Sequence, residues 1–225
     1  MSESITDLNS KRAGYYEDTR PEMQSYVPAT VRRLLEVGCG EGNFAAAIKA
    51  SRGCETWGAD LSPTAAAIAA KRLDRVLCGD FASVLGQLPA SCFDCVVFND
   101  VLEHLSDPFS ALVGIQTCLA PGGVVVASIP NVRHISAFKC YVMHADWKYE
   151  DVGVLDKTHL RFFTKKSIVR MFESLGYVLE RIEGINASPS WKLKVANALL
   201  LGALSDVRYL QFACVARPAG RARTM

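Results

Sequence analysis

Three glycines at alternate positions, Gly38, Gly40 and Gly42, follow the short apolar-rich run "RLLEV" in the stretch "RLLEVGCGEGNFAAAI". Glycines so spaced let a ligand rest against backbone N–H groups, and a strand that passes through such a turn into a helix is a site of that kind. The dinucleotide spacing G-x-G-x-x-G would need glycine at position 43, which is Asn43, so the pattern here is G-x-G-x-G. Glu36 stands two residues before the first glycine. There it would repel an incoming pyrophosphate but can accept hydrogen bonds from an amino acid's ammonium group, which favours S-adenosylmethionine over NAD. Asp60 in "WGADLSP", about 20 residues after the glycines, has the position of an acid that holds both ribose hydroxyls. Asp80 and Phe81 in "LCGDF" can bind the adenine amino group and pack on its ring. Three acids at the ends of successive strands form a pattern, although any one of them could be a turn residue or a helix cap.

A second set of residues could move protons. The chain has four histidines, His104, His134, His144 and His159. In "NDVLEHL", Asp100, Glu103 and His104 can converge within one helical turn, a grouping able to ligate a divalent cation if further ligands joined it. Cys92-x-x-Cys95 has no matching second pair and Cys95 falls within an apolar run, so these cysteines are expected in the core rather than on zinc.

Such residues need a scaffold, and the pattern supplies one. Short β-type runs ("RLLEV", "CETWGA", "RVLC", "FDCVVF", "GGVVVASI") alternate with helical stretches, as in a parallel sheet with helices on both faces. Ser62-Pro63 and Asp107-Pro108 each place a cap residue before a proline at the first helical position, and Thr164 caps "KKSIVRMFESLG". "YVLERIEGI" and "RYLQFACVA" read as two last strands, separated by an excursion too long for a hairpin. A chain of 225 residues, half of them hydrophobic, suits one domain spanning 1–225. A net charge of +2 gives no basic surface for nucleic acid, so the expected partner is a small molecule. Scattered cysteines and an N-terminus without an apolar core point to a reducing cytoplasm without disulfides. The longest apolar run, "ANALLLGAL", is far short of the roughly 20 residues that cross a bilayer.

The stretches "LLEVGCGEG", "FNDVLEHLSDP", "LAPGGVVVASIPNVRH" and "GVLDKTHLRFFT" resemble class I S-adenosylmethionine-dependent methyltransferases, over nearly everything from Tyr15 to Pro218. Within that superfamily the chain resembles a bacterial group associated with surface-polysaccharide and O-antigen biosynthesis. The resemblance implies a doubly wound, Rossmann-like, mostly parallel sheet of about seven strands with an antiparallel last strand. It puts Glu36, Gly38, Cys39, Gly40 and Gly42 at the methionine part of the cofactor, Asp60 and Leu61 at the ribose, and Asp80 and Phe81 at adenine. Asn99, Asp100 and Val101 would line the methyl-donor pocket. Residues 1–30 would cover the cofactor, with Tyr15 or Tyr16 over the sulfonium, and 131–163 and 186–206 would be substrate-side insertions.

Methyl transfer from a sulfonium needs alignment first and a proton acceptor second. His159 ranks first as base because it lies in the most family-specific stretch, with Asp156 to orient its ring, Arg161 to hold an anionic group of the acceptor, and His104 assisting. Patterns like Asp100-x-x-Glu103-His104 bind cations in small-RNA 2'-O-methyltransferases and some quinone O-methyltransferases, but "LEHL" is common in members without a metal, and no metal is expected. The expected reaction is O-methylation of a sugar or glycan intermediate. The alternatives are a quinone-type or other small-molecule acceptor, and a non-catalytic cofactor-binding partner of a glycosyltransferase. The apolar excursion "WKLKVANALLLGALSD" is expected as a buried cap or a homodimer contact, ahead of a membrane contact.

Overall fold

A computed structural model describes residues 19–220. Seven strands form one sheet in the order β3-β2-β1-β4-β5-β7-β6: β1 Arg33–Val37, β2 Glu55–Asp60, β3 Arg75–Cys78, β4 Phe93–Asn99, β5 Leu119–Pro130, β6 Tyr177–Ala187 and β7 Tyr209–Pro218. β1, β2, β3 and β4 pair in parallel, and β6 runs antiparallel to β7. The strand composition explains this order. β1 and β4 carry the unbroken buried runs Leu34–Val37 and Cys95–Phe98, as strands covered on both faces must, whereas in β6 only Tyr177 is buried, as suits a sheet edge. The doubly wound, mostly parallel sheet expected from the alternating pattern is therefore the one observed.

The chain divides into two compact units, one of residues up to Asn99 with Ser110–Val126, the other of Asp100–Phe109 with the residues from Ala127 onward. In the first, the strand order reverses between β1 and β4, so their carboxyl ends flank the crevice where open α/β sheets bind ligands. Its helix Pro63–Ala69 is capped as expected, with Ser62 Oγ accepting from the Ala65 N–H. Its helix Asn43–Arg52 begins at Gly42, whose φ of 79° is left-handed. A Cβ there would stand 3.1 Å from Leu73 and 3.2 Å from Ala69, so this glycine serves close packing as well as the turn.

In the second unit, Thr164 and Ser167 form a reciprocal capping box on the helix Lys165–Ser174. The stretch after β5 has a short helix, Ile135–Phe138, running into a wide turn, Lys139–Met143, and then irregular backbone. The excursion before β7 forms the helix Trp191–Leu199. Of the two expectations for it, a buried cap or a homodimer contact, the first does not fit: Trp191, Leu199, Leu200 and Leu201 are all exposed, Leu201 almost completely. All eight cysteines are free thiols; Cys95 lies in the core as expected, and Cys92 Sγ accepts from the Arg33 guanidinium.

Candidate active site

The glycine turn is held from below. Gly38 and Cys39 N–H donate to the carbonyl of Ala59 at the end of β2, while Gly40 N–H donates to Asp60 Oδ2 at 2.7 Å. The other oxygen of Asp60 accepts from Ser62 N–H at 2.8 Å. One carboxylate thus ties the turn to the start of the next helix, leaving further lone pairs for hydroxyl donors. Gly38 and Gly40 have φ of 70° and 52°, the left-handed region that other residues avoid. Cys39 is buried beneath them, its Sγ 2.7 Å from where a Cβ on Gly58 would stand, and burial pushes its thiol well above the usual range. Cys39 is a packing residue.

Glu36 is 3 % exposed, and both its carboxylate oxygens accept hydrogen bonds. Oε2 takes the N–H of Ala45 and Oε1 the amide of Asn99, each at 3.1 Å. Since Gly42 offers no capping side chain, Glu36 caps the helix Asn43–Arg52 from β1. Burial pushes its carboxyl up to about 8, against the downward pull of those two donors. Among the described residues the side-chain carbonyl oxygen of Asn99 is buried without a hydrogen-bond donor. A buried acid and an orphaned acceptor at the ends of adjacent strands suit a ligand that carries an ammonium group. Asp80 spends one oxygen capping the helix Phe81–Leu85 through Ser83 N–H, the local role its position allowed. Phe81 packs edge-on against Phe98 with ring centroids 6.0 Å apart, and Leu61, beside Asp60, is 46 % exposed. Tyr15 and Tyr16 lie outside the described residues.

The proton-moving residues gather in the second unit. Leu102–His104 form a single tight turn, and Glu103, 1 % exposed, lies with its Oε1 3.9 Å from Nε2 of His159. The rings of His104 and His159 meet edge to face at 4.8 Å. His159 Nδ1 is 3.1 Å from the carbonyl oxygen of Val154, and His104 Nδ1 is 3.1 Å from that of Thr158. A carbonyl only accepts, so both Nδ1 atoms carry hydrogen and each neutral ring keeps its lone pair on Nε2.

Asp156 Oδ1 accepts from Thr158 N–H at 2.8 Å and Thr158 Oγ1 at 2.6 Å, and Thr158 in turn contacts His104. The Val154 carbonyl helps to orient His159 through its contact with Nδ1. Asp100 does not join Glu103 and His104; with φ of 53° it turns away, its Oδ1 accepting from Ser128 and its Oδ2 from Gln211 at 2.6 Å. In its place stands His159, and among the described residues Glu103, His104 and His159 form a trio whose ligand atoms lie within 4.8 Å of one another. Arg161 is exposed and donates to the Ser106 carbonyl at 2.7 Å. His134 is buried between Ser136 and Ser188, away from this trio, and burial lowers its affinity for a proton. Sequence reasoning missed Thr158, Gln211 and Ser128; only Thr158 carried a signal, its place beside His159 in "DKTH".

The sheet order, the glycine turn and the acids at its strand ends define a Rossmann-like protein. A family described as "Methyltransferase domain" matches residues 8–182, and the chain belongs to it: it is a methyltransferase that uses S-adenosylmethionine. The chain is 28 % identical over 186 residues to a ubiquinone biosynthesis O-methyltransferase of Aeromonas salmonicida, an alignment covering 80 % of this chain and 74 % of that one. Its fold is similar to that of a SAM-dependent methyltransferase from Archaeoglobus fulgidus, with a TM-score of 0.68 at 19 % identity, covering 96 % and 99 % of the two chains. A Mesorhizobium loti S-adenosylmethionine-dependent methyltransferase gives a TM-score of 0.63 at 20 % identity, covering 91 % and 98 %. Among the described residues no helix is long and apolar enough to cross a membrane.

Proposed function

We propose that the protein methylates a hydroxyl on the ring of a small aromatic acceptor, with His159 as the general base and Glu103 stabilising the imidazolium that forms. The observation that carries this reading is the His159–Glu103 couple, in which Nδ1 is fixed on a carbonyl and Nε2 faces a buried carboxylate. In this reading the ammonium of S-adenosylmethionine lies against Glu36 and Asn99 Oδ1, its ribose hydroxyls on Asp60 and its adenine beside Leu61, Asp80 and Phe81. The sulfonium is already a good leaving group, so the protein's task is to align acceptor oxygen, methyl carbon and sulfur while the proton leaves. His104, steadied by Thr158 and Asp156, backs the base, and Arg161 holds an anionic substituent where the acceptor carries one.

The glycan acceptor first expected finds no counterpart in the relative named above, whose printed name concerns ubiquinone biosynthesis, and this supports the quinone-type alternative. The couple equally argues against a mere cofactor-binding partner, which has no use for a proton acceptor. The test is to supply purified protein with labelled S-adenosylmethionine and, in parallel, catechol and nucleotide-sugar acceptors. Methyl transfer to a catechol oxygen supports the reading, and a methylated sugar defeats it.

One observation favours a second reading, in which Glu103, His104 and His159 hold a divalent cation. A carboxylate and two imidazoles whose Nδ1 atoms are pinned on carbonyls form a donor set of the kind that binds Mn²⁺, Fe²⁺ or Zn²⁺. Such an ion would lower the pKa of an acceptor hydroxyl. Calorimetric titration of each metal into chelator-treated protein separates the readings: saturable binding lost in His104→Ala supports the ion, and no binding leaves the base to work alone.

A further inference from the structure

Beyond His159 lies a group of rings that the proposed chemistry does not use. Phe162 is its hub. One face of the cluster packs inward, Phe162 lying against Ala137, Val154 and Leu155, which are buried. Outward, Phe162 meets His159 at 6.2 Å, Trp147 at 5.2 Å and Tyr149 at 6.4 Å between ring centroids. Exposure rises along the row from His159, 8 % exposed, to Trp147 at 38 % and Tyr149 at 54 %. Trp147 and Tyr149 are two residues apart on irregular backbone, and both reach Phe162. The backbone is pinned just beyond them, where Glu150 N–H donates to the Leu155 carbonyl and Lys157 N–H to the Glu150 carbonyl. The two rings are therefore held in place while much of their area stays in water, which a folded chain does not require for its own packing.

We propose that Phe162, Trp147 and Tyr149 form the wall on which the acceptor's ring stacks, with His159 at its inner end to meet the hydroxyl. The inference rests on the aromatic-acceptor reading above and assigns its specificity to these three side chains. Ring faces attract other flat rings without fixing their substituents, so the wall selects for a planar acceptor and leaves the choice of oxygen to the His159–Glu103 couple. A nucleotide sugar, puckered and polar, would gain less from it.

The probe is catechol, titrated into the wild-type protein with S-adenosylhomocysteine bound and followed by tryptophan fluorescence. Trp147→Leu and Tyr149→Leu keep apolar volume at exposed positions and remove the ring faces. The wild type is expected to show saturable quenching that Trp147→Leu abolishes. Tyr149→Leu should weaken catechol binding about 10-fold, and in both variants the Michaelis constant should rise more than turnover falls. Saturable quenching without methyl transfer would keep the wall and overturn the methylation reading. Absence of saturable quenching, or quenching unchanged in Trp147→Leu, overturns the wall even if catechol is methylated.

Discussion

Glu36 and Glu103 are both buried glutamates near the carboxyl end of a central strand, and their surroundings differ in kind. Glu36 accepts from a backbone N–H and an amide, donors that never lose their protons. Glu103 faces the lone-pair nitrogen of an imidazole, a group that can take up and release a proton. The first arrangement suits a binding task, holding a helix start and becoming a carboxylate when a cationic ligand group lies against it. The second suits a proton that comes and goes. The contrast teaches that burial alone does not define a catalytic acid; the partner's ability to titrate does.

The sharpest way to break this comparison is to remove titration from one side only. Glu103→Gln and His159→Gln should each lower turnover about 100-fold while cofactor affinity, read by calorimetry, stays within about two-fold. Asp60→Ala should do the reverse, weakening S-adenosylmethionine binding by about 10- to 100-fold because a half-buried carboxylate that also braces the glycine turn is lost. Turnover at saturating cofactor should change far less. If the two sets of variants gave the same pattern, the division of labour would be wrong.

Asp60 shows why one side was readable in the sequence. Its partners are Ser62, two residues on, and the glycine turn that the preceding strand delivers beside it, so strand pattern and local spacing were enough to place it. Thr164 and Ser62 were readable for the same reason, since a cap acts within its own first turn. The Glu103–His104–His159 trio was not, because His104 and its partner Thr158 are 54 residues apart and meet through irregular backbone with no period to follow. Asp100 misled for a related reason: residue spacing suggested a helical turn, but a left-handed φ turned the side chain to Ser128 and Gln211. The helix Trp191–Leu199 misled because apolar composition does not say what covers a helix.

Smaller effects sharpen the account. Thr158→Val removes the hydroxyl that links Asp156 to His104 and should cut turnover several-fold, about 3- to 10-fold, with cofactor affinity unchanged; an effect as large as that of His159→Gln would make His104 the base. The smallest is a pH effect on stability. Glu36 in the folded, cofactor-free protein keeps its proton up to about 8, against 4.5 for an ordinary glutamate carboxyl. The folded state therefore binds the extra proton between those values, so Glu36 contributes stability that is full below about 4.5 and is lost as pH rises through about 8. The melting temperature of the cofactor-free protein should fall across that window, and Glu36→Gln should flatten the fall by a few degrees, about 2–6 °C, in scanning calorimetry. Bound cofactor, whose ammonium favours the carboxylate, should also flatten it.

The claim that His159 accepts the acceptor's proton is tested most directly by the pH dependence of turnover with saturating catechol and cofactor, in the presence of a chelator. The account predicts a rate that rises with pH and then levels, a limb that His159→Gln abolishes along with about 99 % of the plateau rate. A His159→Gln protein that keeps near-normal turnover with the same pH profile would contradict it.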